Sequence, residues 1–322
     1  MKISLIITVL NEEKSIKEFL GSVIKQTRLP EELVIVDGGS TDATVSVISN
    51  FQFPPRLRSG RAISNFKLKF IRKRGNRSLG RNTAIKNSTG DIIAVSDAGC
   101  ILDKSWLAKI TSPFNDKNID VVAGYYNGKA KNIFQKCLIP YVLVMPDRVD
   151  PENFLPASRS VAFKKTIWEK VHGFPEEYSH NEDYIFAKKL KEIGAKIVFA
   201  KKAIVFWLPR KNFKEAFLMF FRFAQGDAEA RIFRPKVVFV FCRYALGILL
   251  VIFTTLSESL QLFISILLLL VLYLVWAIVK NYKYVRQWKS VIILPILQLT
   301  ADLAVLSGTI LGVLETWDTQ KT

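Results

Sequence analysis

The chain has 322 residues, half of them hydrophobic, with 46 Lys and Arg against 28 Asp and Glu for a formal net charge of +18. That length exceeds one small domain and suits a large globular unit plus a membrane region. The charge favours anionic headgroups and phosphorylated substrates over nucleic acid, for which no binding module is recognisable.

Residues 2–10 (KISLIITVL) form a β-rich run, interrupted by Asn11, Glu12 and Glu13 too soon for a signal peptide. Residues 13–26 carry helical apolar spacing at Ile16, Phe19, Leu20 and Val23, and 32–36 (ELVIV) read as a second strand, so a βαβ crossover with parallel strands is expected. Strands over 67–72 and 91–96, separated by a helix over 79–87, continue the alternation. The pattern predicts a doubly wound α/β sheet with ligands beyond the carboxyl ends of its strands. Polar residues gather at those ends: Thr8 and Asn11, then Asp37 to Asp42 (DGGSTD), then Ser96 to Cys100 (SDAGC). Capping of the next helix by Ser40 or Thr41 explains the second cluster equally well, but three polar strand ends on one edge favour a site. Further on, Glu182 and Asp183 open a helix expected over 183–193, where acids suit the helix dipole.

Phe213, Phe217, Phe220, Phe221 and Ala224 share one helical stripe, which suits either a helix lying in the headgroup plane or packing on the soluble domain. Beyond Pro235 the composition turns apolar, and runs over 237–256, 260–279 and 291–314 are each long enough to span a bilayer as a helix. All but six of the Lys and Arg and all but four of the Asp and Glu precede Val237, leaving the N-terminal part at net +16. Ser257, Glu258 and Ser259 between the first two runs carry no basic residue, whereas Lys280, Lys283, Arg286 and Lys289 lie between the second and third. This bias predicts a cytoplasmic N-terminal domain and an outside C-terminus. Asp302 in the third run is expected to face other helices. Cys100, Cys137 and Cys242 have neither pairing nor metal-ligand spacing, which fits a reducing cytosol. The expected division is a soluble domain over 1–211, an amphipathic interfacial segment over 212–235 and a membrane region over 236–322.

Four segments in this order, LIITVLNEEKSI, VIVDGGSTDAT, GRNTAIKNSTGDIIAVSDAGC and GFPEEYSHNEDYIFAKKLKEIGAKI, give the sequence from Ile3 to about Arg210 its resemblance to the family 2 glycosyltransferases of the GT-A fold. The resemblance implies a mixed Rossmann-like sheet. It also implies that Thr8, Asn11 and Asp37 hold the nucleotide base of a nucleotide-diphosphate sugar. Uridine diphosphate fits, since a carboxylate accepts from the imide N–H of uracil, although guanosine diphosphate users share the same strand ends. It places Arg81 beside the donor phosphates, and Ser96 and Asp97 at the start of the family's DxD, whose carboxylates bind Mg²⁺ or Mn²⁺. Gly99 stands where the second acid belongs, a departure that weakens the metal site and resembles the subset extending lipid-linked exopolysaccharide repeats. Glu182 and Asp183 match the ED motif, with Asp183 as general base for an inverting attack by a sugar hydroxyl.

The stretch around Pro156 to Ser160, with Ser158, is similar to the family's acceptor side, and Arg210 to a gating position that meets a diphosphate. The QxxRW motif of the processive synthases is missing from RFAQGDAEARIF, so single-sugar transfer to a lipid-linked acceptor among membrane lipids is expected. A polyprenyl-phosphate acceptor and a catalytically silent membrane scaffold are the alternatives. His180 reads as a polar loop residue.

Overall fold

The computed structural model describes residues 1–53, 66–178, 180–232 and 234–318, which fall into two compact units. The first comprises residues 1–129 and 144–208, the second 130–143 and 209–322.

In the first unit the chain runs β1 (Ile3–Val9), α1 (Ile16–Val23), β2 (Glu32–Asp37), α2 (Thr44–Ser49), β3 (Lys67–Arg72), α3 (Arg77–Lys86), β4 (Ile92–Val95), β5 (Cys100–Leu102), α4 (Trp106–Thr111) and β6 (Val121–Gly128). After α5 (Ile133–Val142), which belongs to the second unit, come β7 (Val161–Lys164), α6 (Lys165–Lys170), α7 (Glu182–Glu192) and β8 (Ile197–Trp207). The eight strands form one sheet in the order β3-β2-β1-β4-β7-β6-β8-β5. β1, β2 and β4 are covered on both faces, and their side chains are accordingly a nearly unbroken Ile, Leu and Val series. β3 is an edge strand with exposed Lys67 and Leu68 and exposed Arg72, the lysine and arginine discouraging further pairing.

The first four strands pair in parallel as the alternation predicts, with Thr8 opposite Val36 and Ile6 opposite Val95. The remainder departs from a doubly wound sheet. β7 runs antiparallel to both β4 and β6, β5 runs antiparallel to β8, and β6 pairs with β8 in parallel across an irregularity at Gly124/Tyr125. Sequence order reverses at β1, with β2 and β3 on one side and β4 on the other. Crevices form outside the carboxyl ends of strands at such a point. Beneath it, Ile6, Val34, Val36, Val95, Phe163, Phe174 and Phe186 build a buried core from strands and helices alike.

The second unit holds α5, α8 (Phe213–Glu229), α9 (Pro235–Ser257), α10 (Leu260–Val285) and α11 (Ser290–Asp318). The last three are long and apolar enough to cross a membrane. Along α9 only Thr254 is buried, so Phe239, Leu249, Phe253 and their neighbours offer an apolar exterior suited to lipid rather than water. α8 lies along α11 at close range. A Cβ on Gly308 would overlap the carbonyl of Phe221, and one on Gly312 would reach within 2.5 Å of the carbonyl of Gln225. Small residues four apart thus let the two backbones approach. Of the expected stripe, Phe220 and Ala224 are buried, while Phe213, Phe217 and Phe221 are half-buried. Asp302 is 3% exposed and collects α9 and α10 onto α11: Arg243 Nη2 at 2.8 Å, Tyr244 Oη at 3.1 Å and the Tyr273 hydroxyl all donate to Oδ2, with Gln298 Nε2 on Oδ1 at 3.0 Å.

Candidate active site

The loop after β1 is laced to the segment after β2 by backbone and side-chain groups alike. The Asn11 N–H donates to Ser40 Oγ at 2.9 Å, the Thr41 N–H to Asn11 Oδ1 at 2.9 Å and the Glu12 N–H to Thr44 Oγ1 at 2.7 Å. Asn11 takes a left-handed backbone (φ 56°), a conformation in which Asn is among the better-tolerated residues. Asp37 is fully buried at the end of β2, and its carboxylate accepts the Gly39 N–H at 3.3 Å and the Ser40 N–H at 3.1 Å. Neither Ser40 nor Thr41 caps α2, which starts after Ala43 without a side-chain cap, and Asp37 shapes the loop from below. Thr8, half-buried on β1, touches α3 at Gly80, where a Cβ would come within 2.6 Å of Thr8 Cγ2. Glycine there sets how closely α3 approaches the sheet.

Because α3 lies close, the next residue, Arg81, projects into the interior at 2% exposure. Its Nη1 donates to Glu182 Oε1 at 2.5 Å, its Nη2 to Asp97 Oδ1 at 3.1 Å, and its guanidinium stands 5.4 Å from the centroid of the Phe174 ring. Asn82 on the same helix donates to the Phe174 carbonyl (2.8 Å) and Glu176 Oε1 (2.7 Å) and accepts from the Phe174 N–H (2.9 Å) and Trp168 Nε1 (3.2 Å). Asn76 caps α3 through the Leu79 N–H (2.9 Å) and donates to the Glu176 carbonyl (2.6 Å). α3 thus anchors the segment 174–178, and through it the start of α7. Glu182 and Asp183 come to lie beside Asp97 at the end of β4.

Arg81, expected beside the donor phosphates, is buried with one terminal nitrogen on each of two carboxylates. Its charge lets three acids share one place. Burial pushes Glu182 up, yet the charge and hydrogen bond of Arg81, with Arg77 nearby, outweigh this and hold its carboxyl below the ordinary range. Asp183 goes the other way. Burial and then the negative charge of Glu182 raise it, against the opposing pull of Arg81 and Arg159. Two adjacent carboxyls with opposite shifts suggest one structural and one proton-accepting group. Asp183 Oδ2 accepts the Ser158 N–H at 3.3 Å and Oδ1 the Tyr184 N–H at 2.9 Å.

Ser96 is buried and donates to the Arg159 carbonyl at 2.9 Å, joining the ends of β4 and β7. Ser158 is buried, and among the described residues its Oγ has no hydrogen-bond partner. Arg210 belongs to the second unit, exposed between β8 and α8, and His180 to the loop before α7. Thr8, Asn11, Asp37, Ser96, Asp97, Ser158, Glu182 and Asp183 all belong to the first unit, at or near the carboxyl ends of β1, β2 and β4. Sequence reasoning passed over Asn82, whose signal was its place directly after Arg81 in GRNTAI, and Arg159, whose neighbours are fixed only by folding.

Asp97 is the residue expected to hold Mg²⁺ or Mn²⁺. Among the described residues no group of three His, Cys, Asp or Glu side chains is placed to bind a metal ion. Asp97 already has Arg81 on Oδ1, and Gly99 adds no donor. The residues present do not build a divalent-cation site by themselves. A surface depression of about 670 Å³, lined by Met1, Asp91, Lys164 and Lys165 among others, lies at the opposite ends of the strands and contains none of these carboxylates.

Comparison with known proteins gives two overlapping family matches, Glycosyl transferase family 2 over residues 4–139 and Glycosyl transferase family 21 over residues 81–307. The O-antigen chain rhamnosyltransferase RfbN of Salmonella typhimurium is 25% identical over 244 residues, 67% of this chain and 71% of that protein. Glycosyltransferase AglE of Haloferax volcanii is 24% identical over 234 residues, 70% of this chain and 73% of that protein. The mannosyltransferase PcManGT from Pyrobaculum calidifontis, solved in complex with GDP-Man and Mn²⁺, has a similar fold over 95% of this chain and 87% of its own, with a TM-score of 0.62 at 17% identity.

Proposed function

Given that the chain belongs to the family 2 glycosyltransferases, we propose that it transfers a single sugar, with inversion, from a nucleotide-diphosphate donor to a hydroxyl of a membrane-held glycan acceptor. The donor is read as a UDP-sugar and the acceptor as a polyprenyl-diphosphate-linked glycan. The observation that carries this reading is Asp183, a half-buried carboxylate at the start of α7, fixed by a hydrogen bond from the Ser158 N–H and with its pKa raised by burial and by the charge of Glu182. In the reaction the acceptor oxygen forms its bond to the anomeric carbon as its proton passes to Asp183. The bond from that carbon to the donor diphosphate breaks on the opposite face, and the diphosphate leaves with the electron pair. Glu182 and Arg81 position Asp183 without touching substrate.

The three apolar helices support a lipid-held acceptor, because they keep the catalytic unit at a bilayer. Arg286 and Lys289 between α10 and α11, with Lys280 and Lys283 in the last turns of α10, favour a cytoplasmic catalytic unit and an outside C-terminus. RfbN, named for O-antigen chains, supports a surface polysaccharide as the acceptor class.

The test is to incubate purified protein in lipid extract with radiolabelled nucleotide sugars and compare Asp183→Asn. A hydroxyl acceptor needs its base, so turnover should fall about 10²- to 10⁴-fold with nucleotide binding retained. Near-normal turnover would instead point to a polyprenyl phosphate, already ionised near neutral pH, as the nucleophile.

A further inference from the structure

The turn that begins at Asp97 presents an unbalanced set of charges for a substrate with a diphosphate. One acid of the DxD pair is absent, the other is engaged by Arg81, and Arg81 itself is buried between Asp97 and Glu182. Position 99 adds space: a Cβ placed on Gly99 would meet no heavy atom within 4 Å.

Arg159 borders this space. Its backbone is fixed beside Asp97, since Ser96 Oγ donates to its carbonyl at 2.9 Å and the adjoining β4 and β7 pair residue for residue, Val95 opposite Val161. Its guanidinium carbon lies 5.7 Å from the centroid of the Tyr126 ring and 5.6 Å from that of Trp207. Trp207 in turn pairs with Cys100, and the Leu208 N–H donates to the Gly99 carbonyl at 3.3 Å. The charge therefore sits over the strand that flanks the open position. Aromatic faces attract a guanidinium and limit its rotamers while leaving its N–H edge available to oxygen ligands. Among the described residues no carboxylate forms an ion pair with Arg159, unlike Arg81.

We propose that Arg159 binds the diphosphate of the nucleotide donor, its planar fork taking the place, beside Gly99, of the second acid and the cation that acid would share. The inference rests on the nucleotide-sugar reading of the site. A permanently charged fork matches phosphate oxygens two at a time, and it neutralises the charge of a departing diphosphate where the chain provides one carboxylate for metal.

Calorimetric titration of the full-length protein in detergent with UDP, GDP and the corresponding free nucleosides tests this. Arg159→Ala should weaken the preferred nucleoside diphosphate about 10- to 100-fold, the range of a lost charge-assisted bond, and the nucleoside less than about 3-fold. Arg159→Lys, which keeps a charge, should recover part of the loss and guards against misfolding of the alanine variant. Gly99→Asp added to Arg159→Ala should restore diphosphate binding only when Mn²⁺ is present. If Arg159→Ala binds the diphosphate as wild type does while Asp37→Ala does not, Arg159 is not the ligand and the nucleotide-sugar reading survives. Equal losses for diphosphate and nucleoside also overturn the assignment, as does failure of wild-type protein to bind either diphosphate, which removes the nucleotide-sugar reading with it.

Discussion

Replacing Arg81 with Met removes the charge on which three acids depend while keeping an unbranched side chain of similar reach. Glu182, 4% exposed and 2.5 Å from Nη1, loses its counter-charge where little water can substitute, and Asp97 loses a 3.1 Å partner. Removing one member of a buried ion pair costs about 3–5 kcal/mol. For a unit of this size that lowers Tm by roughly 6–20 °C. The pH dependence has a definite sign. In the wild type Glu182 is held below its ordinary value of 4.5, so its pairing stabilises the fold above that pH and is lost as pH falls. In the variant the buried carboxyls favour protonation, so the deficit is largest near pH 8 and shrinks toward pH 5. Asp183 loses a positive neighbour as well, its pKa rises further, and the acid limb of kcat/KM moves to higher pH. Thermal melts of both proteins in nanodiscs at pH 5 and pH 8, with a pH–rate profile, measure these effects. A deficit of equal size at the two pH values, or an acid limb that stays put, would refute the account of Arg81 as the shared counter-ion.

Gly80→Ala should destabilise the catalytic unit by about 1–3 kcal/mol, the usual cost of overpacking, by forcing α3 off β1. Adding Thr8→Ser, which deletes the Cγ2 in the way but keeps the hydroxyl, should recover most of it in chemical denaturation. Glu32 is 1% exposed. Burial alone would raise it, but hydrogen bonds from Ser4 (2.5 Å) and Thr89 (2.5 and 2.9 Å), with Lys69 at 3.4 Å, bring it down to about 2. Its contribution, at most about 3 kcal/mol, is present above pH 4.5 and lost as pH falls toward 2, and Glu32→Gln should flatten that part of the stability–pH curve. Gly312→Leu should separate α8 from α11 and lower Tm, whereas Leu at exposed Gly247 on α9 should not. Asp302→Asn leaves Arg243 without its charge partner inside the apolar helices and should destabilise the second unit more than Asp302→Asn combined with Arg243→Met, read by melting in nanodiscs.

Periodicity along the chain was enough for the elements it encodes directly. The alternation of short β-branched runs with amphipathic helices predicted β1 to β4 and their parallel pairing, and three long apolar runs predicted α9 to α11, because both signals depend only on which faces are buried. The acids at strand ends were legible for the same reason, since a buried strand running into Asp37 or Asp97 must end where water or a ligand begins. What the tertiary structure alone decided is which charge meets which. Arg81 and Glu182 are 101 residues apart, and only the close packing of α3 at Gly80 and the anchoring of segment 174–178 by Asn82 join them. The antiparallel β7 brings Arg159 beside Ser96 and Asp97, and β8 carries Trp207 over Gly99, pairings that no local pattern specifies because a strand's sequence records its burial and not its neighbour. The sequence could therefore single out carboxylates and arginines as candidate site residues. Whether an arginine holds the acids in place or faces the substrate depends on the order of strands in the sheet.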